Sequence, residues 1–224
     1  MKPFLSAVLL LVIALPLAAQ PQRLTDQIIV TASDLPEKVD ETPAAVSVIT
    51  RKQIDAIDAR DLADALRHVP GVTLVRTGSP GKTAALFTRG SNSNHTLVLW
   101  NGIEIINPAF GGYDWGQFST AGVEQVEIVR GPYSALYGSE AVAGVINVIS
   151  APAGDEAQAE IEGGGRGLRS GRAFVARTFA SLLASGSLDS THDDGFAQND
   201  FFTRTAGTGS LRWIATPATS VGLL

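Results

Sequence analysis

The residues of this 224-residue chain that could do chemistry are few, and their spacing argues against catalysis. Gly81-Lys82-Thr83 has the ending of a phosphate-binding loop, in which a glycine-rich backbone cradles phosphate oxygens and the lysine reaches them. The glycine that should open such a loop would stand where Arg76 is, and residues 84–88 read as a strand where a helix is required. His68, His95 and His192 are isolated and lack H-E-x-x-H spacing, and no serine sits in a G-x-S-x-G elbow. The absence of cysteine excludes disulfides, thiolate metal sites and a lipid-modified cysteine. His192-Asp193-Asp194, with Asp189 and Asp200 nearby, carries oxygen donors at a density that could hold calcium. The expected reading is a solvated charge run. No catalytic residue, metal or cofactor is therefore assigned, and the chain is not expected to be an enzyme.

What remains is binding chemistry. Ile28-Ile29-Val30-Thr31 is a β-branched run in a polar stretch, suited to adding as a strand to the edge of a partner's sheet or to serving as an ordinary first strand. Arg89, Glu104, Glu127 and Arg130 are charges set inside or at the ends of apolar strands. Buried charges need partners, so these four form an ionic network inside the fold or toward a surrounding wall, or else cap strand ends in water. The net charge of −5 and the lack of a basic stripe exclude a nucleic-acid partner. With 45% hydrophobic and 17% charged residues, the chain is neither disordered nor a helical membrane protein.

Several elements must position these residues. Lys2 followed by the apolar run of residues 4–15 and Leu17-Ala18-Ala19 reads as a signal peptide over residues 1–20. Thr50 and Gln53 have capping-box spacing, so a helix should begin there. A second helix is expected over residues 60–68, with Asp58 as candidate N-cap and Pro70-Gly71 as its stop. Strand-like runs follow at 46–49, 72–75, 84–88, 96–100, 123–130 and 145–149, with Asn101-Gly102 as a two-residue hairpin turn before residues 103–106. Gly90, Gly131, Gly138 and Gly144 mark turns or close backbone approaches. Several strands are apolar on both faces, which predicts a small sheet covered on both sides, with an outer wall supplying what the helices cannot. Beyond residue 150 the strands lengthen and alternate weakly, as in Arg172-Ala173-Phe174-Val175-Ala176-Arg177, with runs at 158–164, 171–178, 181–188, 203–214 and 219–224. This is how barrel strands with one lipid face and one wet face read, although a soluble sandwich alternates similarly.

Four motifs carry a family resemblance: DQIIVTA at residues 26–32, RGSNSNHTLVLWNG at 89–102, residues 107–115 in the place of an apical loop, and VEQVEIVRGPYSALYGSEAVAGVINVIS at 123–150. Together they resemble the plug region of TonB-dependent outer-membrane receptors, with the cobalamin receptor type nearest in pattern and ferric-siderophore receptors sharing most of it. The resemblance implies an α+β plug domain, a small mixed sheet with short helices, followed by the first antiparallel strands of a transmembrane β-barrel of about 22 strands. Residues 151–224 have room for roughly four or five strands at ~9–11 residues each, so the barrel is expected to be incomplete here. The implied organisation is signal peptide 1–20, TonB box and linker 21–40, plug 41–150 and barrel strands 151–224.

The implied function is energy-coupled import of a bulky, scarce nutrient such as cobalamin or a ferric siderophore across the outer membrane, with the box facing the periplasm. The partners are TonB, the nutrient and outer-membrane lipid. TonB would engage Asp26, Gln27, Ile28, Ile29, Val30, Thr31 and Ala32. The apical loops 77–83 and 107–115 would offer Ser79, Lys82, Thr83, Phe110, Tyr113, Asp114 and Trp115 to the ligand, the aromatics by stacking; self-packing of a compact loop is the alternative. The short acidic loop near Asp193 departs from the cobalamin type, which has a longer one. The competing class is a soluble periplasmic ligand-binding module built from an isolated plug.

Overall fold

The computed structural model of the protein describes residues 28–29, 37–38, 44–105, 112–150, 154–216 and 219–223, and the elements and contacts below are those of the described residues. The expected signal peptide, together with Asp26, Gln27, Val30, Thr31, Ala32 and Phe110, lies outside them. Ile28–Ile29 forms strand β1, paired antiparallel with β2 at Glu37–Lys38.

Residues 45–149 build a five-stranded mixed sheet in the order β3-β8-β9-β6-β7. The strands are β3 (Ala45–Thr50), β6 (Thr96–Trp100), β7 (Ile103–Glu104), β8 (Gln125–Arg130) and β9 (Gly144–Ile149). The β6–β9 pair is parallel and the other pairs are antiparallel. A separate hairpin pairs β4 (Val72–Arg76) with β5 (Ala84–Thr88). The helices are short: α1 (Arg51–Ala56), α2 (Leu62–Leu66) and α3 (Ser134–Tyr137). β-Branched residues fill β8 and β9 because a pleated strand buried on both faces gives them close neighbours above and below. On one face Val98, Val126, Ile128, Ile146 and Val148 pack with Ile54, Leu62, Leu66 and Leu86 from the helices and hairpin. On the other, Leu97, Leu99 and Val145 meet Ala141, Tyr133 and Tyr137. Burial on both faces is thus as expected, and among the described residues the chain's own segment around α3 covers the second face.

Local signals in the sequence hold at the residue level. Thr50 and Gln53 close the capping box of α1. Asn101 and Gly102 take φ of 52° and 80°, the paired left-handed turn a tight hairpin needs. The Asn101 carboxamide also clamps the end of β9, accepting from the Ser150 backbone N–H at 2.9 Å and donating to its hydroxyl at 2.8 Å. The N-cap of α2 corrects the expectation. It is Asp61, which accepts from the Asp64 N–H at 2.8 Å, while Asp58 stands in the preceding turn at φ 48°. The helix is correspondingly shorter than residues 60–68.

From residue 156 onward five antiparallel strands follow in chain order: β10 (Glu156–Gly163), β11 (Arg169–Phe179), β12 (Leu182–Asp193), β13 (Phe202–Thr216) and β14 (Thr219–Leu223). Among the described residues this sheet stays open, with β10 and β14 as its edges. Alternation divides its faces. Ile161, Val175, Leu188, Leu211 and Trp213 all point outward and exposed, Ile161 at 92%. Glu160, Arg172 and Asp189, aligned across three strands, point toward the mixed sheet.

Gly144 shows how tightly β8 and β9 are fitted, since a Cβ there would collide with the Val129 carbonyl oxygen. Gly90 also has a positive φ but faces open space. Gly144→Ala should lower unfolding free energy by about 2–5 kcal/mol from overpacking and backbone strain together. Gly90→Ala should cost only ~1–2 kcal/mol. Thermal or denaturant unfolding of the two variants checks the difference, and equal losses would contradict this packing.

Candidate functional site

The period of two along a strand places Glu160, Glu162, Arg172, Asp189 and Arg204 on one face of the long-strand sheet. That face meets the turn between α1 and α2. Arg172 donates through Nη1 to the Ala59 carbonyl at 3.1 Å and the Thr120 hydroxyl oxygen at 3.2 Å. Its Nη2 donates to Glu160 Oε1 at 2.7 Å and lies 3.7 Å from Asp58 Oδ1. Arg204 donates from Nε to Asp189 Oδ1 at 2.7 Å, and its two terminal nitrogens reach the carbonyls of Gly116 at 3.5 Å and Arg60 at 3.4 Å. Arg60 itself pairs with Glu162. The buried Thr120 hydroxyl donates to the Ala59 carbonyl at 2.7 Å from within the mixed-sheet unit. Turn carbonyls away from water need donors, and a guanidinium can serve several at once while a carboxylate of its own sheet holds it in place.

Two aromatic side chains complete the seam. Phe174 packs on Gly122, where a Cβ would lie 2.7 Å from the ring, and Phe202 covers Gly81 in the same way. Next to Phe202, Asp200 accepts from the Ser79 hydroxyl at 2.7 Å and lies 3.4 Å from Lys82 Nζ. The Phe196 backbone N–H, then Ser79 and Lys82, hold the Asp200 carboxyl below the usual carboxylate range.

The loop residues singled out in the sequence divide accordingly. Ser79 and Lys82 face the β12–β13 loop, and the Thr83 carbonyl accepts from the Thr77 N–H at 3.0 Å, closing loop 77–83 on itself. Asp114 accepts from the backbone N–H of Ala84 at 2.9 Å and of Gly116 at 3.2 Å. Trp115 is buried at 2% exposure. Tyr113 is half-buried against Trp115 and Phe118, and desolvation pushes its phenol up to about 12.

Of the four strand charges, Glu127 is wholly buried and accepts from Gln125 Nε2 at 2.8 Å. Arg130 donates to the carbonyls of Ala45, Val46 and Pro70, and burial, with Arg89 nearby, lowers its pKa. Arg89 and Glu104 are exposed. Among the described residues, ion pairs crossing to the long strands are Arg60 with Glu162, Lys82 with Asp200 and Arg172 with Asp58. A buried pair at the other end of the β4–β5 hairpin, Arg76 with Asp61 at 3.0 Å, also escaped sequence reading. Burial, and then Asp64, raises the Asp61 carboxyl against the pull of Arg76.

The acidic run is not the solvated face expected. Asp189 and Asp193 are buried, the latter 3.5 Å from Arg166 and accepting from the Gly195 N–H, and only Asp194 of the pair at 193–194 is exposed. Among the described residues no group of three His, Asp or Glu is placed to hold a metal. Sequence reasoning missed Arg172, Arg204, Arg60 and Glu162 as seam residues. The available signal was opposite charges at inward-facing positions of neighbouring strands.

Arg204→Ala should destabilise the protein by about 3–5 kcal/mol because it leaves Asp189 buried without its cation. Adding Asp189→Ala should recover some of that loss, and a thermal-unfolding double-mutant cycle reads it; additive losses would contradict the pairing. The Asp200 contacts stabilise the loop docking above the ordinary aspartate pKa, and that contribution is lost as pH falls through the depressed folded value. The Phe196 amide resonance should therefore titrate with a midpoint below 3.8; a midpoint at or above it would count against the contact.

Comparison with known proteins agrees with this arrangement. Residues 38–145 match the family described as TonB-dependent Receptor Plug Domain. The vitamin B12 transporter BtuB of Photobacterium profundum is 38% identical over 167 residues, covering 74% of this chain and 27% of that protein. BtuB of Vibrio cholerae is 41% identical over 132 residues, covering 59% and 21%. The chain thus spans about a quarter of the length of these relatives. The ferripyoverdine receptor of the Pseudomonas aeruginosa outer membrane superposes with a TM-score of 0.73 at 21% identity, over 87% of this chain and 26% of that one. The siderophore receptor PiuA of Acinetobacter baumannii superposes at 0.66 with 27% identity, over 86% and 28%. A plug sheet, a polar seam and a run of antiparallel strands beside it are what this chain presents, and its residues 38–145 belong to the TonB-dependent receptor plug domain family.

Proposed function

We propose that the complete protein imports a bulky, scarce nutrient across the outer membrane, a corrinoid or a ferric chelate, driven by TonB. The observation that carries this reading is the plug match over residues 38–145 followed by strands whose outward face is apolar and whose inward face grips the plug through arginines. In this reading residues 1–20 direct export, 21–40 hold the TonB box and linker, 41–150 form the plug, and 151–224 begin the barrel wall. The box at residues 26–32 faces the periplasm and adds as a strand to TonB's sheet. Ligand meets the apical loops, where Lys82, Ser79 and the half-buried Tyr113 stand ready to feel it. No bond of the nutrient is made or broken, so the protein needs no catalytic group. The exposed side chains of Ile161, Leu188 and Trp213 disfavour a soluble periplasmic module, which would leave them in water.

Val30→Pro removes a backbone donor and fixes φ in the box. In the complete protein, energised uptake should fall by at least ~10-fold, as losing about 1.4 kcal/mol of strand pairing would produce, while ligand binding to de-energised cells stays unchanged. Normal uptake by this variant would overturn the box assignment.

A further inference from the structure

We infer that the outward face of the long-strand sheet carries a headgroup-selective lipid site: a furrow for one acyl chain, with Arg177 and Asp155 at its mouth placed to receive a phosphate and an ammonium together. The inference rests on the reading of residues 151–224 as barrel wall and goes beyond it, since bulk lipid contact needs no particular site. The furrow has a volume of about 530 Å³, within the range of pockets that hold small organic molecules. Its floor is Ala184 and the cross-strand pair Gly186–Gly209. Val175 and Phe179 of β11 rise on one side, and Leu211 and Leu223 on the other, all four exposed. The two glycines answer to no constraint of the sheet itself. Neither takes a positive φ, and the nearest atom to an added Cβ would be 3.7 Å away at Gly186 and 3.9 Å at Gly209, ordinary van der Waals contact. Glycine weakens a strand interior and often marks a place where another molecule comes close to the backbone.

The headgroup class follows from the charged pair. Arg177 donates from Nη1 to Asp155 Oδ2 at 3.1 Å, and the Thr178 backbone N–H donates to Asp155 Oδ1 at 2.7 Å. The two side chains are 55% and 49% exposed, so both present open hydrogen-bonding positions outward: further guanidinium N–H groups and carboxylate lone pairs. Arg177 also lines the furrow, as a long side chain does when its stem lies on apolar surface and its head stays in the polar layer. A headgroup with phosphate alone would match Arg177 and be repelled by Asp155. One that carries phosphate and a primary ammonium matches both, phosphate on the guanidinium and N–H donors on the carboxylate. Phe179 and Trp213, exposed at this end of the sheet, stand where aromatic side chains mark a membrane–water boundary. From that level the furrow runs toward Gly186 and Gly209, along the apolar part of the face. The occupant is therefore a glycerophospholipid of the phosphatidylethanolamine class.

Native mass spectrometry of the complete protein, extracted in detergent and delipidated, tests this by titration with dimyristoyl-phosphatidylethanolamine, dimyristoyl-phosphatidylglycerol and dimyristoyl-phosphatidylcholine in turn. One ethanolamine lipid should bind saturably. The glycerol lipid, which lacks an ammonium, and the choline lipid, whose ammonium has no N–H, should each bind about 10-fold more weakly. Gly209→Leu, which fills the furrow and leaves the charged pair intact, should abolish this binding, and Gly186→Leu is the second filling variant should the first not fold. Asp155→Asn should erase the preference for the ethanolamine over the glycerol lipid. Ile161→Ala, on the same face outside the furrow, should change nothing. The site is refuted by absence of saturable ethanolamine-lipid binding, by equal binding of the three lipids, or by unchanged binding in a folded filling variant. It is refuted equally by a dimer that the filling variants dissolve, which would show a second copy of the protein in the furrow. Membrane fractionation of the same cells tests the wall reading by itself, so a membrane-embedded protein that fails the titration loses only this site.

Discussion

The arrangement depends on how one tight turn, at residues 58–60, satisfies its backbone carbonyls. They face a neighbouring sheet instead of bulk water, and a carbonyl hidden without a donor is unfavourable by an amount comparable to a lost hydrogen bond. Arg172 and Arg204 supply the donors from the wall, and Glu160 and Asp189 fix the two guanidiniums in register on β10–β13. Thr120 supplies one more from within the plug. Desolvating charges is expensive, and here it is offset because each arginine bonds a carboxylate of its own sheet and a carbonyl of the other. The contact between plug and wall is therefore directional and polar, while the plug interior is not.

This division has a mechanical consequence. The mixed sheet is apolar on both faces and closed over by its own helices and by the segment around α3. A seam of guanidinium–carbonyl bonds, two aromatic rings on glycines and one aspartate with a serine and a lysine can open contact by contact, each group exchanging its partner for water. A continuous hydrophobic interface would have to expose its whole area together.

Sequence patterns made the elements legible wherever a local rule decided them. Thr50 with Gln53, Asn101-Gly102 and the β-branched runs of β8 and β9 are determined by hydrogen-bonding and steric preferences within a few residues. The α2 cap was not, because Asp58 and Asp61 are equally good caps three residues apart. The choice falls to the tertiary partner, Arg76, which lies on β4 beside Asp61. Asp189 and Asp193 looked solvated in a run of acids, yet strand parity turns both inward and leaves Asp194 outside. Asp114 and Trp115 had the composition of a binding loop, but one caps the backbone of its neighbours and the other is a core residue. The seam arginines were visible only as alternating charges, since nothing in their spacing names a carbonyl 113 or 144 positions away in the chain.

Hydrogen exchange at the turn amides tests the central claim most directly. In the complete protein, the amides of residues 58–62 should exchange at least ~10-fold faster in the Arg172→Lys, Arg204→Lys double variant, because the compact ammonium lacks the planar fork that spans carboxylate and carbonyl here and more than ~1.4 kcal/mol of protection is lost. The amides of Ile128 and Ile146, deep in the plug sheet, should keep their rates. Unchanged exchange at the turn, or an equal acceleration across the sheet, would contradict the account of a wall whose arginines grip the plug at this turn.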